Sequence, residues 1–92
     1  MLKISEEKPG SEATTLRLEG RIVGPWVDEL RRVCESLAGT GSRLSLNLDE
    51  VTFADDSAIL LLVELQDRGI RLLQMTPLLE QQMKVIMTRP AA

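Results

Sequence analysis

The sequence predicts an α/β domain with one mixed sheet of about four strands and with helices mainly on one face of that sheet. Two segments, residues 14–19 and 43–49, alternate apolar and polar side chains as half-buried strands do. Other segments repeat their apolar residues at the helical period, so strands and helices alternate along the chain. A parallel strand covered on both faces is almost continuously apolar. The alternation therefore indicates one polar sheet face, and the 92 residues suffice for a single domain, 1–92.

The first half of the chain is predicted to form a hairpin followed by a helix. Its elements, in chain order, are a strand at residues 2–5, a polar turn at 6–13, a strand at 14–19, a connector at 20–24 and a helix at 25–37. Pro9-Gly10 is a turn dipeptide. Pro25 suits the first position of a helix, where its missing N–H would be unpaired anyway. Gly39 and Gly41 are expected to stop that helix.

The second half is predicted to alternate strands and helices. Its elements are a strand at 43–49, a turn at 51–53, a helix after Asp55 that runs to about Arg68, a strand at 70–75 and a final helix opened by Thr76-Pro77 and ended by Pro90. Gly69 is a natural helix stop. Three i,i+4 ion pairs are expected on the helix surfaces: Asp28–Arg32, Glu64–Arg68 and Glu80–Lys84.

The core is expected where the apolar faces of these elements meet. Its predicted members are Leu16, Leu18, Leu30, Val33, Leu46, Leu48, Leu61, Leu62 and Leu72. Cys34 lies on the apolar stripe of the first helix, so we interpret it as a small buried hydrophobe rather than as a reactive thiol. As the only cysteine, it cannot form an internal disulfide.

The composition argues against several classes of function. The 14 acidic and 11 basic residues are intermixed, no basic run exists, and Trp26 and Phe53 are the only aromatic residues, so nucleic-acid binding is disfavoured. The chain contains no histidine, which removes Ser–His and Cys–His nucleophiles and His-ligated zinc. We therefore expect no enzyme activity, no cofactor and no metal.

The start of the chain and its longest apolar block bear on localisation. Met1-Leu2-Lys3 leads directly into a strand-like pattern without the apolar core of a signal peptide. The apolar block 58–63 is far shorter than a membrane span. We therefore expect a cytoplasmic protein without direct membrane insertion.

The segment 51–69 is the candidate functional stretch. Asp55 and Asp56 are adjacent carboxylates, Ser57 follows at once, and the block 58–63 is expected to be a helix buried on most of its circumference. Asp and Ser are favoured helix caps, so capping is the plain structural interpretation of the three polar residues. The functional interpretation is that Ser57 is modified, because a helix N-terminus favours a phosphate. The two roles are compatible.

Two enzyme-like interpretations of the paired carboxylates are weak. A glycosidase needs carboxyl groups several Å apart across a cleft that holds a sugar, which adjacent residues on a tight turn do not offer. A Mg²⁺ site at Asp55 and Asp56 needs further ligands, to which the sequence does not point.

The order of elements, with an acidic-serine turn before a buried helix, resembles the STAS domain of anti-sigma-factor antagonists. Three segments carry the resemblance: LRLEGRI (16–22), LSLNLDEVTFADDSA (44–58) and MTPLL (75–79). The middle segment is the specific one. In that family it usually reads as a strand, a hydrophobic–x–Asp–Ser–Ser–Gly motif and a helix. The second serine of the motif is phosphorylated by a partner kinase that doubles as an anti-sigma factor.

The resemblance implies a role for each residue of the motif. Asp55 matches the motif aspartate and Ser57 the phosphorylated serine, whereas Asp56 and Ala58 replace the first serine and the glycine. Asp56 adds a fixed negative charge beside the acceptor, and Ala58 removes backbone freedom from the turn.

The resemblance also implies a function and partners. It implies a non-catalytic, STAS-like domain that binds a protein partner, through Asp55, Asp56, Ser57 and Ala58, under the control of phosphorylation at Ser57. The partner is expected to be a serine kinase that is also an anti-sigma factor, or another STAS-binding protein. The alternative is a constitutive subunit of a larger complex, such as the short STAS subunits of lipid-transport ABC transporters, which also end after the third helix.

Overall fold

A computed structural model describes residues 2–7, 13–38 and 43–88 of the chain. The elements of this part are β1 (Leu2–Glu7), β2 (Ala13–Ile22), α1 (Pro25–Ala38), β3 (Arg43–Ala54), α2 (Asp56–Asp67), β4 (Arg71–Leu73) and α3 (Pro77–Thr88). The order of strands and helices is the predicted one. The predicted turn at Pro9-Gly10, the helix stops at Gly39 and Gly41 and the helix end at Pro90 lie outside the described residues.

The strands form one mixed sheet in the order β1-β2-β3-β4. β1 pairs with β2 in antiparallel fashion, which confirms the predicted hairpin pairing, and β2–β3 and β3–β4 are parallel pairs. Leu16 of β2 lies beside Leu46 of β3, and Leu46 lies beside Leu72 of β4. Successive residues of a strand point to opposite faces, so this row of leucines defines the face on which the helices pack.

The opposite face of the sheet is polar and carries ion pairs. Arg17 lies within 3.5 to 3.9 Å of the carboxylates of Glu7, Glu19 and Glu50, and Lys3 reaches Glu19 at 3.8 Å. These side chains are partly exposed, so each pair contributes at most about 1 kcal/mol. The polar face confirms that the helices cover one side of the sheet.

The core lies between the sheet and the helices. All the predicted core residues are buried except Val33 and Leu72, which are half-buried and pack against the core. Cys34 is buried, and this burial raises the pKa of its thiol to about 11. The thiol is therefore protonated at neutral pH, as its interpretation as a buried hydrophobe requires.

Two strands are longer than the sequence predicted. β2 continues to Ile22 and β3 to Ala54, so the expected connector at 20–24 is strand up to Ile22 and the expected turn at 51–53 lies within β3. The parallel pairing of β2 with β3 is irregular between Arg17 and Glu19 and again between Gly20 and Arg21. Such irregularities shift which face a side chain points to, so the alternation that marks a strand breaks off before the strand ends.

The ends of the strands and the surface ion pairs also differ from the predictions. β1 runs to Glu7 rather than to residue 5, whereas β4 is shorter than predicted and is followed by Gln74 in the left-handed region (φ 56°). Glu64 of α2 pairs with Arg31 of α1 rather than with Arg68. Arg32 reaches Glu29, at 3.5 Å, rather than Asp28. A contact between helices thus replaces one predicted within a helix.

Candidate functional site

The candidate site lies where two parallel strands end and two helices begin. β2 ends at Ile22 and β3 at Ala54, side by side, and the Asp55 N–H donates to the Ile22 carbonyl at 3.2 Å. α1 then begins at Pro25 and α2 at Asp56, so both helix N-termini lie at this edge of the sheet. The carboxyl ends of parallel strands are the usual place for binding sites in α/β folds.

Asp55 is the N-cap of α2 and also holds the start of α1. Its Oδ1 accepts from the Ala58 N–H at 2.8 Å and from the Ser57 hydroxyl at 2.9 Å. Its Oδ2 accepts from the Gly24 N–H at 3.1 Å. Gly24 has φ +54°, a backbone conformation that favours glycine. One carboxylate therefore connects the candidate serine, the first turn of α2 and the loop before α1.

The Asp55 carboxylate is stabilised in its charged form. Partial burial by itself acts to raise the pKa of Asp55, but the hydrogen bonds from Ala58, Gly24 and Ser57 favour the anion and together lower that pKa below its ordinary value of 3.8. Asp55 is therefore an anion at neutral pH. A carboxylate with a lowered pKa is a weak base, which suits a structural role better than acid–base catalysis.

Ser57 is the second residue of α2, and its hydroxyl is exposed. Asp55, not Ser57, caps the helix, so the cap does not require the Ser57 side chain. Asp56 is also exposed, whereas Ala58 is fully buried. The structure thus brings the four predicted site residues together. Ala58 belongs to the site only through its backbone N–H, which donates to Asp55. Its side chain is in the core and cannot contact a partner, contrary to the prediction that Ala58 binds one.

Two open depressions meet at Ser57. The first lies towards α3 and is lined by Phe53, Ala54, Asp55, Asp56, Ser57 and Gln82. The second lies between α1 and α2 and includes Asp28, Arg31, Ser57, Leu60 and Glu64 in its lining. Arg31 and Glu64, both in the lining of the second depression, form an ion pair between α1 and α2. A partner that covers Ser57 would therefore contact α1, α2 and α3 together.

An exposed apolar side chain lies beside Ser57 in each of the two depressions. Phe53 is 38% exposed, and its ring lies 5.3 Å from the Arg21 guanidinium. Leu60 is 55% exposed, whereas Ala58, Ile59, Leu61 and Leu62 are buried, so the block 58–63 is buried on most of its circumference, as expected, and Leu60 lies on its open side. On α3, the exposed Leu78 and Val85 lie about one helical turn before and after Gln82. An apolar surface of this kind is typical of protein-binding sites.

Sequence reasoning missed Phe53, Leu60 and Gln82 as site residues. Phe53 was placed in a turn, and Leu60 was not distinguished from its neighbours in the apolar block 58–63, since an apolar run does not reveal which member faces solvent. Gln82 lies 28 positions after Ala54, whose carbonyl accepts its amide N–H. No signal in a single sequence connects those two positions.

Two classes of site find no support among residues 2–7, 13–38 and 43–88. No group of three or more His, Cys, Asp and Glu side chains in these ranges could hold a metal ion. None of their helices is long and apolar enough to cross a membrane.

The fold is that of SpoIIAA-like domains. No protein-family model matches the chain, and no curated protein matches it either. Solved structures do match. The anti-sigma factor antagonist SpoIIAA in its unphosphorylated form superposes with a TM-score of 0.68 at 20% sequence identity, over 90% of this chain and 83% of that chain.

Two further structures show the same similarity. A protein from Shewanella loihica PV-4 with a SpoIIAA-like fold, of the DUF3478 family, matches with a TM-score of 0.57 at 12% identity, over 91% of this chain and 75% of that one. The crystal structure of Mglu matches with a TM-score of 0.60 at 26% identity, over 79% of this chain but only 19% of Mglu. The chain is therefore a STAS-like domain in its fold, as its resemblance to anti-sigma-factor antagonists implied.

Proposed function

We propose that this chain is a non-catalytic regulatory domain that binds a protein partner, and that phosphorylation of Ser57 switches this binding. The observation that carries the proposal is the position of the Ser57 hydroxyl, which is exposed in the first turn of α2 and held by Asp55 at 2.9 Å. The fold similarity to SpoIIAA, an anti-sigma factor antagonist solved in its unphosphorylated form, supports the same proposal.

Phosphorylation would change the charge and the hydrogen bonds of this surface. A phosphate adds roughly −1.5 to −2 charges at neutral pH. The Ser57 oxygen would lose the proton that it now donates to Asp55, and the new anion would lie beside the Asp55 carboxylate. The helix N-terminus offsets part of that repulsion. We therefore expect a changed docking surface on an intact fold.

The partner is expected to be a protein that packs apolar side chains around Ser57. Phe53 and Leu60 flank the serine with exposed apolar surface, and α3 carries two further exposed apolar side chains, Leu78 and Val85. A serine kinase that is also an anti-sigma factor fits this role, as does another STAS-binding protein. The proposal includes no nucleic acid, no cofactor and no membrane insertion, and it places the protein in the cytoplasm.

A constitutive subunit of a larger complex is the second candidate, and the Asp56 side chain favours it. Asp56 is an exposed carboxylate immediately before Ser57, at the position of the first motif serine. It would repel the phosphates of ATP as they approach the serine. A subunit of a lipid-transport ABC transporter would use the same apolar surface without modification. Asp56→Ser tests this point, because it should speed phosphorylation if the carboxylate hinders transfer.

Mass spectrometry after incubation with ATP and the serine kinase encoded nearest to this gene tests the proposal. We expect one phosphate on Ser57 and none on Ser57→Ala. Ser36→Ala is a matched control, because Ser36 is an exposed serine on α1. An unmodified Ser57, together with wild-type partner binding by Ser57→Ala and Ser57→Glu, would favour the constitutive subunit.

A further inference from the structure

We propose that Gln82 of α3 is a positioning residue for the Ser57 segment. The Gln82 side-chain N–H donates to the carbonyl of Ala54 at 2.9 Å. Ala54 is the last residue of β3, is fully buried, and immediately precedes the cap residue Asp55. The bond therefore anchors the segment that carries Ser57 to a helix far along the chain.

The sheet itself does not supply this bond. β2 lies along one side of β3 as far as Ala54. On the other side, β4 pairs with β3 only at residues 45–47 in the described part of the chain. A buried carbonyl without a donor is costly. The Gln82 amide thus takes the place that the N–H of a neighbouring strand would have.

The side-chain oxygen of Gln82 indicates that the hydrogen bond to Ala54 is the reason for a glutamine at position 82. Its Oε1 is buried and has no hydrogen-bond partner among residues 2–7, 13–38 and 43–88. An unpaired buried acceptor destabilises a fold, and a methionine of similar size would avoid that cost. The amide is thus favourable at this position only because its N–H satisfies Ala54.

The location of Gln82 connects docking on α3 to the position of Ser57. Gln82 lines the same depression as Asp56 and Ser57. Leu78 and Val85 lie about one helical turn before and after it. A partner that packs on this side of α3 would press on the residue that anchors the Ser57 segment. This consequence rests on the proposed function, whereas the anchoring itself does not.

Amide hydrogen exchange tests the anchoring in Gln82→Met. Its matched control is Gln81→Met, because Gln81 is the exposed neighbour on the same helix. In Gln82→Met we expect the amides of Asp55 and Ala58 to exchange about two- to tenfold faster, the range that corresponds to one lost hydrogen bond. Equal protection of these amides in the two variants would overturn the proposal.

A shortened side chain provides a second test. Gln82→Asn keeps the side-chain amide but withdraws it by one carbon from Ala54. The backbone amides of Asp55 and Ala58 should therefore exchange as fast in this variant as in Gln82→Met. Protection equal to that of the wild type would show that reach to Ala54 does not matter and would also overturn the proposal.

Phosphorylation kinetics test the consequence for function. Gln82→Met should lower kcat/KM for modification of Ser57 at a temperature at which the variant stays folded, and Gln81→Met should not. A wild-type protein that no kinase modifies would refute the proposed switch, while the exchange experiment would still decide the anchoring. If Gln82→Met is phosphorylated at the wild-type rate although its Asp55 and Ala58 amides exchange faster, the anchoring stands. Only its effect on phosphorylation of Ser57 would then be refuted.

Discussion

The N-cap residue Asp55 offers the sharpest test of how the site is built. Asp55→Ala removes the acceptor for three donors, the N–H groups of Ala58 and Gly24 and the hydroxyl of Ser57. Replacing an N-cap aspartate by alanine typically costs about 0.5–2 kcal/mol. Because Asp55 also holds Gly24, we expect a loss in the upper half of that range. In a domain of this size, 1 kcal/mol lowers Tm by roughly 4–8 °C.

Asp55→Asn separates the charge of Asp55 from its shape. The asparagine oxygen can still accept from Ala58 and Ser57, but its NH₂ group would face the Gly24 N–H, so two donors meet. We expect a loss of roughly 0.5–1.5 kcal/mol, as for one hydrogen bond. Asp56→Asn is the matched control, because Asp56 is the adjacent carboxylate and does not cap the helix. Asp56→Asn should lose less unfolding free energy, about 0.3–1 kcal/mol, because it removes a negative charge near the positive end of the helix dipole.

The contribution of Asp55 should depend on pH in a defined direction. Its folded-state pKa is lowered, so the folded protein holds the anion more strongly than the unfolded chain does. The stabilisation is therefore fully present above the ordinary value of 3.8 and is lost as pH falls through the folded-state pKa. Urea unfolding of wild type and Asp55→Asn at pH 7 and below pH 3 measures this. If the difference in unfolding free energy between wild type and Asp55→Asn does not shrink in acid, the Asp55 anion is not the source of the stabilisation.

Three further experiments test the burial of the core, the burial of the Cys34 thiol and the docking surface. Leu46→Ala in the fully buried centre of the sheet should cost about 2–5 kcal/mol in urea unfolding, whereas the exposed Leu78→Ala should stay within about 0.5 kcal/mol; similar losses would place Leu46 outside the core. Cys34, buried and with a pKa of about 11, should react with a thiol reagent at neutral pH far more slowly in the folded than in the urea-unfolded protein, and equal rates would contradict its burial. Leu60→Ser should weaken partner binding with only a small loss of stability, within about 0.5 kcal/mol, since Leu60 is exposed, and unchanged affinity would remove it from the docking surface.

The sequence revealed the fold wherever local patterns decide the structure. The alternation around Leu16 and Leu46 identified two central strands and their buried face. Irregular pairing hid the ends of those strands, because Asp49 and Glu50 are both exposed in succession and break the period of two. Pro25 correctly marked the start of α1, since the first position of a helix needs no N–H.

The candidate site was predicted only as far as neighbours in the sequence define it. Asp55 and Ser57 are adjacent to the start of α2, so an acidic-serine turn before an apolar run indicated both. The bond from Gln82 to Ala54 and the pairing of Arg31 with Glu64 join residues about 30 positions apart. Only the packing of α3 and α1 against α2 brings those groups together, and no local pattern encodes it.

The affinity of a purified partner for unmodified and Ser57-phosphorylated protein tests the central claim most directly. Phosphoserine can be introduced at Ser57 during synthesis, and calorimetric titration of both forms then gives the two dissociation constants. We expect phosphorylation to weaken binding by tenfold or more, which corresponds to about 1.4 kcal/mol, and Ser57→Glu to weaken it less, because one carboxylate carries less charge. Equal dissociation constants for the two forms would contradict the claim that Ser57 is a switch.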